Sequence, residues 1–195
     1  MGMANMRIGH IEVTQPGSVP GLRSPGVGFE QPFEMLEACH DRVRRTLELM
    51  GKLQTHLQTH GCDDSARQAA RDVQRYFDIA APLHHQDEEL HIFPALRERL
   101  AEDAPLLALV QRLEQDHREM DALWNTQVRV SLQALIDGSS PALSPEQEHA
   151  LLVFRERYEQ HLALEDEVAY PAARQVVGVS EQQVMGVEMA ARRQR

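Results

Sequence analysis

The sequence contains two similar motifs, HHQDEELHIFP at residues 84–94 and HLALEDEVAYP at residues 161–171, and the architecture follows from them. Each contains a histidine followed four residues later by a glutamate, and each ends in an aromatic residue followed by proline. Because residues four apart lie on the same face of an α-helix, each stretch places an imidazole beside a carboxylate. The two stretches lie 77 positions apart, which indicates an internal repeat.

The same shift of 77 residues relates other positions of the chain. His40 corresponds to His117, as His84 corresponds to His161, and the two histidines of each half are 44 residues apart. This regular spacing predicts two helix pairs related by a pseudo-twofold axis.

Around these histidines, apolar side chains recur at steps of three or four residues, which predicts four amphipathic helices. Short turn sequences separate them, at residues 61–64, 94–105 and 137–141. We therefore predict an all-α fold, an antiparallel up-down-up-down four-helix bundle with a pseudo-twofold internal repeat. The apolar stripes include Phe33, Leu36, Val43 and Leu47; Val73, Phe77 and Ala80; Leu106, Leu113, Met120 and Trp124; Leu151, Phe154 and Tyr158.

Proline and capping residues set the predicted helix boundaries. Pro32 suits the first position of the first helix. Pro94 is expected to stop or kink the second helix, and Pro171 is expected to close the fourth. Ser144, with Gln147 three residues later, predicts a capping box at the start of the fourth helix.

The chain divides into three predicted parts. Residues 1–29 contain prolines among glycines, which is typical of an extended N-terminal arm. Residues 30–175 form the bundle. Residues 176–195 are expected to form a short C-terminal helix and tail, because Ser180 offers a helix cap.

The four histidines are predicted to share one level of the bundle. In an antiparallel helix pair, two residues face each other when the turn lies midway between them. The midpoint of His40 and His84 is position 62, and that of His117 and His161 is position 139, and both positions fall in predicted turns.

Four histidines and two glutamates at this level are therefore the candidate metal ligands. Unpaired carboxylates are very costly inside a bundle core, and metal cations are their natural compensation. The alternative interpretation, buried histidines in ordinary hydrogen bonds with glutamates, explains a single pair well. Ordinary hydrogen bonding does not readily explain why all six groups lie at one level and recur in both halves of the repeat. The candidate ligands are His40, His84, Glu88, His117, His161 and Glu165.

Other histidines fit the centre less well. His85 and Glu89 have the same spacing as the ligand pairs, but they are rotated by about 100° from the inward face. We interpret them as residues that flank the centre. His56 and His60 could bind a metal on their own, but they lie beside the first turn, far from the other ligands.

Composition restricts the classes of partner. The formal net charge of −10 argues against nucleic acid, and no apolar stretch approaches the roughly 20 residues of a membrane helix. The two cysteines form no Cys-x-x-Cys pair and are predicted to be free thiols in a reducing cytoplasm.

Taken together, these residues resemble the hemerythrin-like (HHE cation-binding) family. The resemblance covers about residues 30–175 and rests on the ligand set with its trailing aromatic–proline pairs. It implies a non-haem centre of two iron ions, in which Glu88 and Glu165 bridge the irons together with an oxo or hydroxo group. The histidines would be terminal ligands, with one position open on each iron. Zinc and manganese accept the same ligand types.

One position departs from the oxygen-carrying hemerythrins, which have a second histidine four residues after the ligand of the third helix. Here that position is Asp121. The residue could ligate the metal, hydrogen-bond to a ligand histidine or face solvent. The departure favours a role other than plain oxygen transport.

Two classes of function follow from the resemblance. The first is a binding protein for a small diatomic ligand, oxygen or nitric oxide, or for iron, in sensing, storage or stress response. The second is a di-iron redox enzyme, an oxidase, peroxidase or nitric oxide reductase, or an iron donor for iron-sulfur cluster repair. Either class implies a protein partner or electron donor, and the sequence favours binding over catalysis.

Overall fold

The computed structural model of the chain describes residues 27–100 and 102–194. These residues form five helices and no strand, so the predicted all-α class is confirmed. None of the described helices combines the length and the apolar character that a membrane span requires. The predicted N-terminal arm lies almost entirely outside the described residues. The helices are α1 (Pro32–His60), α2 (64–99), α3 (104–136), α4 (145–176) and α5 (Val179–Arg192).

Three of the helices contain single turns of π-helix, in which the helix widens locally. The segments of α2 are Asp64–Arg75, π-helical Tyr76–Ala80, Ala81–Asp87, π-helical Glu88–Ile92 and Phe93–Arg99. Those of α3 are Ala104–Leu123, π-helical Trp124–Val128 and Arg129–Ile136, and those of α4 are Pro145–Leu164, π-helical Glu165–Ala169 and Tyr170–Val176.

The prolines do not end the helices as expected. Pro94 does not stop α2, which continues to Arg99, and the prediction that Pro171 closes α4 is wrong because α4 continues to Val176. Both prolines are the second residue after a π-helical turn. A proline ring clashes with the carbonyl group four residues earlier and lacks an N–H. The wider turn changes the backbone pairing just before the proline, so the helix can continue.

Capping residues lie at the predicted boundaries of α1, α2 and α4. Ser144 and Gln147 form the predicted capping box, with the Ser144 amide 2.8 Å from the Gln147 side-chain oxygen. Asp63 caps α2 by accepting a hydrogen bond from the Ala66 amide at 2.8 Å. Gly61 ends α1 with a φ of 76°, a left-handed conformation that glycine adopts without strain.

The cap predicted at Ser180 is wrong. Helix α5 begins at Val179, one residue before Ser180, because Gly178 takes the capping position and its amide donates a hydrogen bond to the Glu181 side chain at 2.9 Å.

Two apolar clusters fill the interior, and the candidate ligands lie between them. Along each of α1, α2, α3 and α4, residues of one cluster precede the ligands and residues of the other follow them. The polar centre is therefore enclosed by apolar side chains at both ends. The first cluster includes Val43, Leu47, Phe77, Trp124, Phe154 and Tyr158, and the second includes Phe33, Leu36, Ile92, Phe93, Leu113 and Tyr170.

The terminal helix α5 packs on the bundle through both apolar and charged contacts. Met185 and Met189 are buried in the second cluster. Arg192 and Arg193 each lie 2.7 Å from a different oxygen of Asp87, a carboxylate with no exposed surface. These contacts attach α5 to α2 beside the candidate ligand Glu88.

Gly186 lets the segment before α1 cross α5 closely, and we expect Gly186→Ala to destabilise the protein. A Cβ atom at this position would lie 1.9 Å from the carbonyl oxygen of Phe29. Alanine is normally favoured over glycine in a helix by about 1 kcal/mol. Here overpacking is expected to reverse the sign and cost roughly 1–3 kcal/mol, measured by denaturant unfolding.

A matched control for this change is Val187→Ala, because Val187 is 71% exposed. Its effect is expected to stay within about 0.5 kcal/mol. A Gly186→Ala variant that is more stable than the parent would contradict the close approach of the two segments.

Candidate metal centre

Four helices supply the six candidate ligands. His40 lies on α1 and His117 on α3, whereas α2 and α4 each contribute a histidine and a glutamate four residues later. Glu88 and Glu165 each occupy the first position of a π-helical turn. Single π-turns are frequently found at functional sites. Their occurrence at repeat-equivalent positions shows that the two halves share local backbone geometry as well as residue types.

The ligand atoms form two groups that share both glutamates. Within each group, one nitrogen or oxygen atom from every member lies within 4.8 Å of the others. The structure therefore brings together all six residues that the sequence predicts. Group one consists of His40, His84, Glu88 and Glu165, and group two consists of Glu88, His117, His161 and Glu165.

Each glutamate presents its carboxylate to histidines of both groups. One oxygen of Glu165 lies 3.0 Å from His161 Nε2, and the other lies 3.2 Å from His40 Nε2. Glu88 repeats this arrangement, with one oxygen 3.4 Å from the Nε2 atom of the α2 histidine and the other 3.5 Å from that of the α3 histidine. This is the arrangement expected of a carboxylate that bridges two cations.

The burial of these groups tests whether they fit a metal. All six side chains are at most 2% exposed. Nevertheless, both nitrogens of His84, Nδ1 of His161, one oxygen of Glu88 and both oxygens of Glu165 lack a hydrogen-bond partner. Leaving a buried polar group unpaired costs about 1–3 kcal/mol, and more for a charged group. Cations that accept nitrogen and oxygen ligands would satisfy these atoms, so the residues fit a metal centre.

Carboxylates also support the outward-facing nitrogens of three of the histidines. Acidic partners of this kind orient a ligand imidazole and raise its basicity. Glu89 matches its predicted place at the flank of the centre, whereas the sequence gives Asp116 and Asp166 no predicted role. The two hydrogen-bonded pairs, from Nδ1 to the carboxylate oxygen, are His40 and Asp166 at 2.7 Å and His117 and Glu89 at 2.9 Å, and the third pair, His161 and Asp116, is a longer charge contact at 3.6 Å.

The internal repeat contains a signal for two of these acids. Glu89 and Asp166 lie 77 positions apart, and each directly follows a ligand glutamate. Each also contacts the ligand histidine of the helix that begins the opposite half. An acid repeated at equivalent positions, one residue after a ligand, could therefore have been identified from the sequence.

Tyr170 adds a phenol to group one. Its hydroxyl donates a hydrogen bond to Glu88 and lies 3.0 Å from His40 Nε2. The repeat-equivalent residue is Phe93, whose ring centroid lies 5.6 Å from that of His117. Group one therefore contains a hydrogen-bond donor that group two lacks.

The buried charges shift pKa values in opposite directions. Burial alone would lower the pKa values of His40, His117 and His161, but the charges and hydrogen bonds of nearby carboxylates outweigh it and raise them. Burial would raise the pKa of Glu165, but the charge of His161 and the close contacts of these three imidazoles hold it well below its ordinary value. For His84, burial dominates and lowers the pKa to about 4. In the metal-free centre, protons on imidazoles therefore balance the carboxylates.

His85 and Asp121 lie next to group two without belonging to it. The buried ring of His85 stacks on His117 with centroids 3.9 Å apart, and its Nε2 lies 3.3 Å from the Tyr158 hydroxyl. This matches its interpretation as a flanking residue. The Asp121 side chain is 59% exposed and lies 3.8 Å from His85 Nδ1. Of the three roles left open for Asp121, the structure favours the solvent-facing one.

The remaining candidates lie apart from the centre. His56 and His60 stack at the surface with centroids 4.7 Å apart, and His56 Nε2 lies 3.0 Å from the Asp63 carboxylate. They belong to neither ligand group. Cys39 and Cys62 are both free thiols, as predicted.

A helical bundle that encloses two histidine–glutamate groups defines a metal-binding class of protein. The family model of the hemerythrin HHE cation binding domain matches residues 31–176, so the chain belongs to this family, as its sequence motifs predict. The chain is also similar to an uncharacterised protein of Haemophilus influenzae. Their identity is 32% over 167 residues, which cover 85% of this chain and 92% of that protein.

Proposed function

We propose that this protein is a non-haem di-iron protein that binds a small diatomic ligand, oxygen or nitric oxide, or iron itself, for sensing, storage or stress response. One observation carries the proposal: two buried ligand groups share Glu88 and Glu165. Two iron ions held there would supply adjacent redox-active cations to which a small ligand could bind.

The proposed ligand set assigns a role to each residue. His40 and His84 would hold one ion, and the histidines of α3 and α4 would hold the other. Glu88 and Glu165 would each contribute to both ions, because their oxygens face histidines of both groups. Acids behind the histidines hold the imidazole rings in position. Zinc and manganese are competing occupants, since they accept the same donors.

The surroundings favour a neutral ligand over a charged one. The centre lies between two apolar clusters. Transfer of an ion into such surroundings is costly, whereas a neutral diatomic molecule loses little on leaving water. We therefore propose that the apolar side chains exclude water and anions and admit a small uncharged ligand.

We also propose the up-down-up-down antiparallel order for the four long helices, with residues 30–175 as the metal-binding unit. Contacts between α1 and α4 support this order. Glu34, Arg44 and Gln54 on α1 contact residues 174, 166 and 148 of α4, respectively. As the residue numbers rise along α1, those of the contacting residues fall along α4, as expected of two antiparallel helices.

A di-iron redox enzyme is the second candidate, and Tyr170 is the observation that favours it. A phenol in contact with Glu88 and His40 is placed to act on the centre. Oxidase, peroxidase or nitric oxide reductase activity would require a protein electron donor, and release of iron for iron-sulfur cluster repair would require an acceptor protein. The free thiols support a reducing compartment, which we propose to be the cytoplasm.

Ligand binding by the iron-loaded protein tests the proposal. We expect the protein loaded anaerobically with ferrous iron to hold two ions per chain and to change its absorption spectrum when nitric oxide or oxygen is added. Reversal of the change when the gas is removed supports binding, whereas turnover of nitric oxide or peroxide with a reductant supports the enzyme. The metal assignment fails if the protein holds less than one ion per chain and His84→Ala holds the same amount.

A further inference from the structure

The two ligand groups are related by the internal repeat, but their surroundings differ at two equivalent positions. Asp116 in the second half corresponds to Cys39 in the first, and Phe93 in the first half corresponds to Tyr170 in the second. Both differences affect atoms that contact a candidate ligand. The pseudo-symmetry of the six ligands therefore does not extend to the residues around them.

The first difference removes an acid from behind His84. Asp116 lies 3.6 Å from Nδ1 of His161, the repeat equivalent of His84. At the position of Asp116 the first half has Cys39, whose thiol is a weak hydrogen-bonding group. Neither Nδ1 atom has a hydrogen-bond partner, but that of His161 faces the Asp116 carboxylate. Within residues 27–100 and 102–194, Glu88 is the carboxylate that contacts His84, and it does so through Nε2. His84 therefore lacks the outer carboxylate that its counterpart has.

The second difference acts on the bridging carboxylate of group one. The Tyr170 hydroxyl donates a hydrogen bond to the Glu88 oxygen that lies 3.4 Å from His84 Nε2. A hydrogen bond to a carboxylate oxygen withdraws electron density that the same oxygen would give to a cation. Phe93, at the equivalent position beside group two, has no donor to offer.

The charge of the protein surface also differs between the two groups, and it is more negative beside group one. A depression of about 530 Å³ beside group one is lined by Asp166, which contacts His40, and by three further acids with one arginine. The depression of about 300 Å³ beside group two is lined by Asp116, which contacts His161, and by one further acid, Glu156, with two arginines. A cation is attracted to the first surface more than to the second. The other acids of the first depression are Glu34, Glu37 and Asp41.

We infer that the two groups hold a divalent transition-metal cation with unequal strength: group two retains its ion, and group one exchanges its ion with solution. The inference rests on the proposed function and specifies which half of the centre takes up and gives up metal. Loss of an acid behind a ligand histidine typically costs 10–100-fold in metal affinity, which sets about the expected difference between the groups.

Release of cobalt(II) from the full chain tests the inference, because cobalt(II) is a visible stand-in for ferrous iron. The protein is loaded with two cobalt ions per chain and mixed with excess chelator, and the loss of cobalt absorption is followed in time. We expect two phases of equal amplitude, with rates that differ by about 10–100-fold.

Two isosteric variants assign the phases to the groups. Asp116→Asn removes the acid behind His161 and is expected to accelerate the slow phase by about 10-fold or more, leaving the fast phase unchanged. Asp166→Asn removes the acid behind His40 and is expected to accelerate only the fast phase. The exposed neighbour Glu167→Gln is the matched control and should change neither rate. Circular dichroism of the metal-free variants monitors the fold.

The outcomes separate this inference from the proposed function. Binding of less than one ion per chain overturns both. Binding of two ions that leave in a single phase overturns the inference alone. Two phases that are each insensitive to Asp116→Asn and Asp166→Asn also overturn it, because the acids then do not set the retention of metal.

Discussion

The variant Glu165→Gln is expected to lose both of the proposed metal ions. Glu165 belongs to both ligand groups, and its two oxygens face histidines of different groups at 3.0 Å and 3.2 Å. A carboxamide keeps the shape of the side chain but removes the charge that binds a cation, so neither group stays complete. We expect more than about a 100-fold loss of affinity, beyond the cost of losing an outer partner. Metal content per chain after reconstitution and desalting measures the effect.

Loss of metal must be distinguished from loss of fold, because Glu165→Gln also changes the metal-free protein. In the metal-free protein the buried carboxylate of Glu165 lies 3.0 Å from His161 Nε2 and 3.2 Å from His40 Nε2, and these imidazoles have raised pKa values. Removing one partner of a buried ion pair costs about 3–5 kcal/mol. We therefore expect metal-free Glu165→Gln to unfold below the midpoint of the metal-free parent, and circular dichroism at the temperature of the metal assay must show that the variant is folded.

Glu167→Gln provides the matched control, since Glu167 lies on the same π-helical turn but is exposed. It should bind the same amount of metal as the parent. A Glu165→Gln protein that still holds two ions per chain would show that this carboxylate is not a shared ligand.

The fold class and the meeting of the six ligands could be predicted because both depend on regular spacing. Helical periodicity decides which residues share a face, and the repeat of 77 residues requires that two such faces recur. The midpoint of His40 and His84 falls in the turn near Gly61, so the level of the ligands follows from counting residues. None of these steps needs a tertiary contact.

The backbone around the ligands could not be predicted in the same way. Regular α-helix rules expect Pro171 to end a helix, but they do not include the π-helical turn that precedes it. That turn starts at Glu165, so the ligand and the irregular backbone coincide. A local widening that keeps both the ligand in place and the helix intact depends on packing, which sequence periodicity does not report.

The residues around the ligands depend on how the helices rotate against each other. Asp166 is one residue beyond Glu165 and would therefore be turned by about 100° in a regular α-helix. The packing of α1 against α4 determines whether an acid on that side of the helix is exposed to solvent or contacts the next helix. In the structure the Asp166 carboxylate lies 2.7 Å from His40 Nδ1. Sequence spacing alone could place Asp166 beside the centre but could not supply its partner.

The stability of the metal-free protein is expected to fall as the pH rises above 6.5. The pKa values of His40, His117 and His161 are raised above the ordinary value of 6.5. In this pH range the folded protein therefore holds protons that the unfolded chain has released. The stability from these protons is complete below pH 6.5 and is lost as the pH rises through the raised values. A tenfold gain in the proton affinity of one imidazole on folding contributes about 1.4 kcal/mol.

Below pH 6.5 a different set of groups determines whether stability rises or falls with pH. Burial lowers the pKa values of His84 and His85, so below pH 6.5 these imidazoles bind protons in the unfolded chain but stay neutral in the folded protein. Stability then falls as the pH decreases from 6.5. The lowered pKa of Glu165 acts in the same direction below its ordinary value of 4.5. We therefore expect the midpoint of thermal unfolding of the metal-free protein to be highest near pH 6.5.

Metal should remove the fall in stability above that pH, because a cation replaces the protons that balance Glu88 and Glu165. Ligand histidines must be neutral to bind a metal, so metal affinity rises with pH over the range in which the metal-free protein loses stability. A ligand present at 1,000 times its dissociation constant stabilises by about 4 kcal/mol. For a chain of this size, that corresponds to an increase of roughly 8–16 °C in the unfolding midpoint.

The measurement is the difference in unfolding midpoint between zinc-loaded and metal-free protein at pH 6.5, 7.5 and 8.5, with zinc chosen because it does not change oxidation state. We expect the difference to widen at each step, chiefly because the metal-free midpoint falls. For Glu165→Gln, the midpoints with and without zinc should differ little at each of these pH values, since the shared candidate ligand is missing. A metal-free midpoint that rises between pH 6.5 and 8.5 would contradict the protonated imidazoles, because only groups that lose protons on unfolding in this range make stability fall with pH.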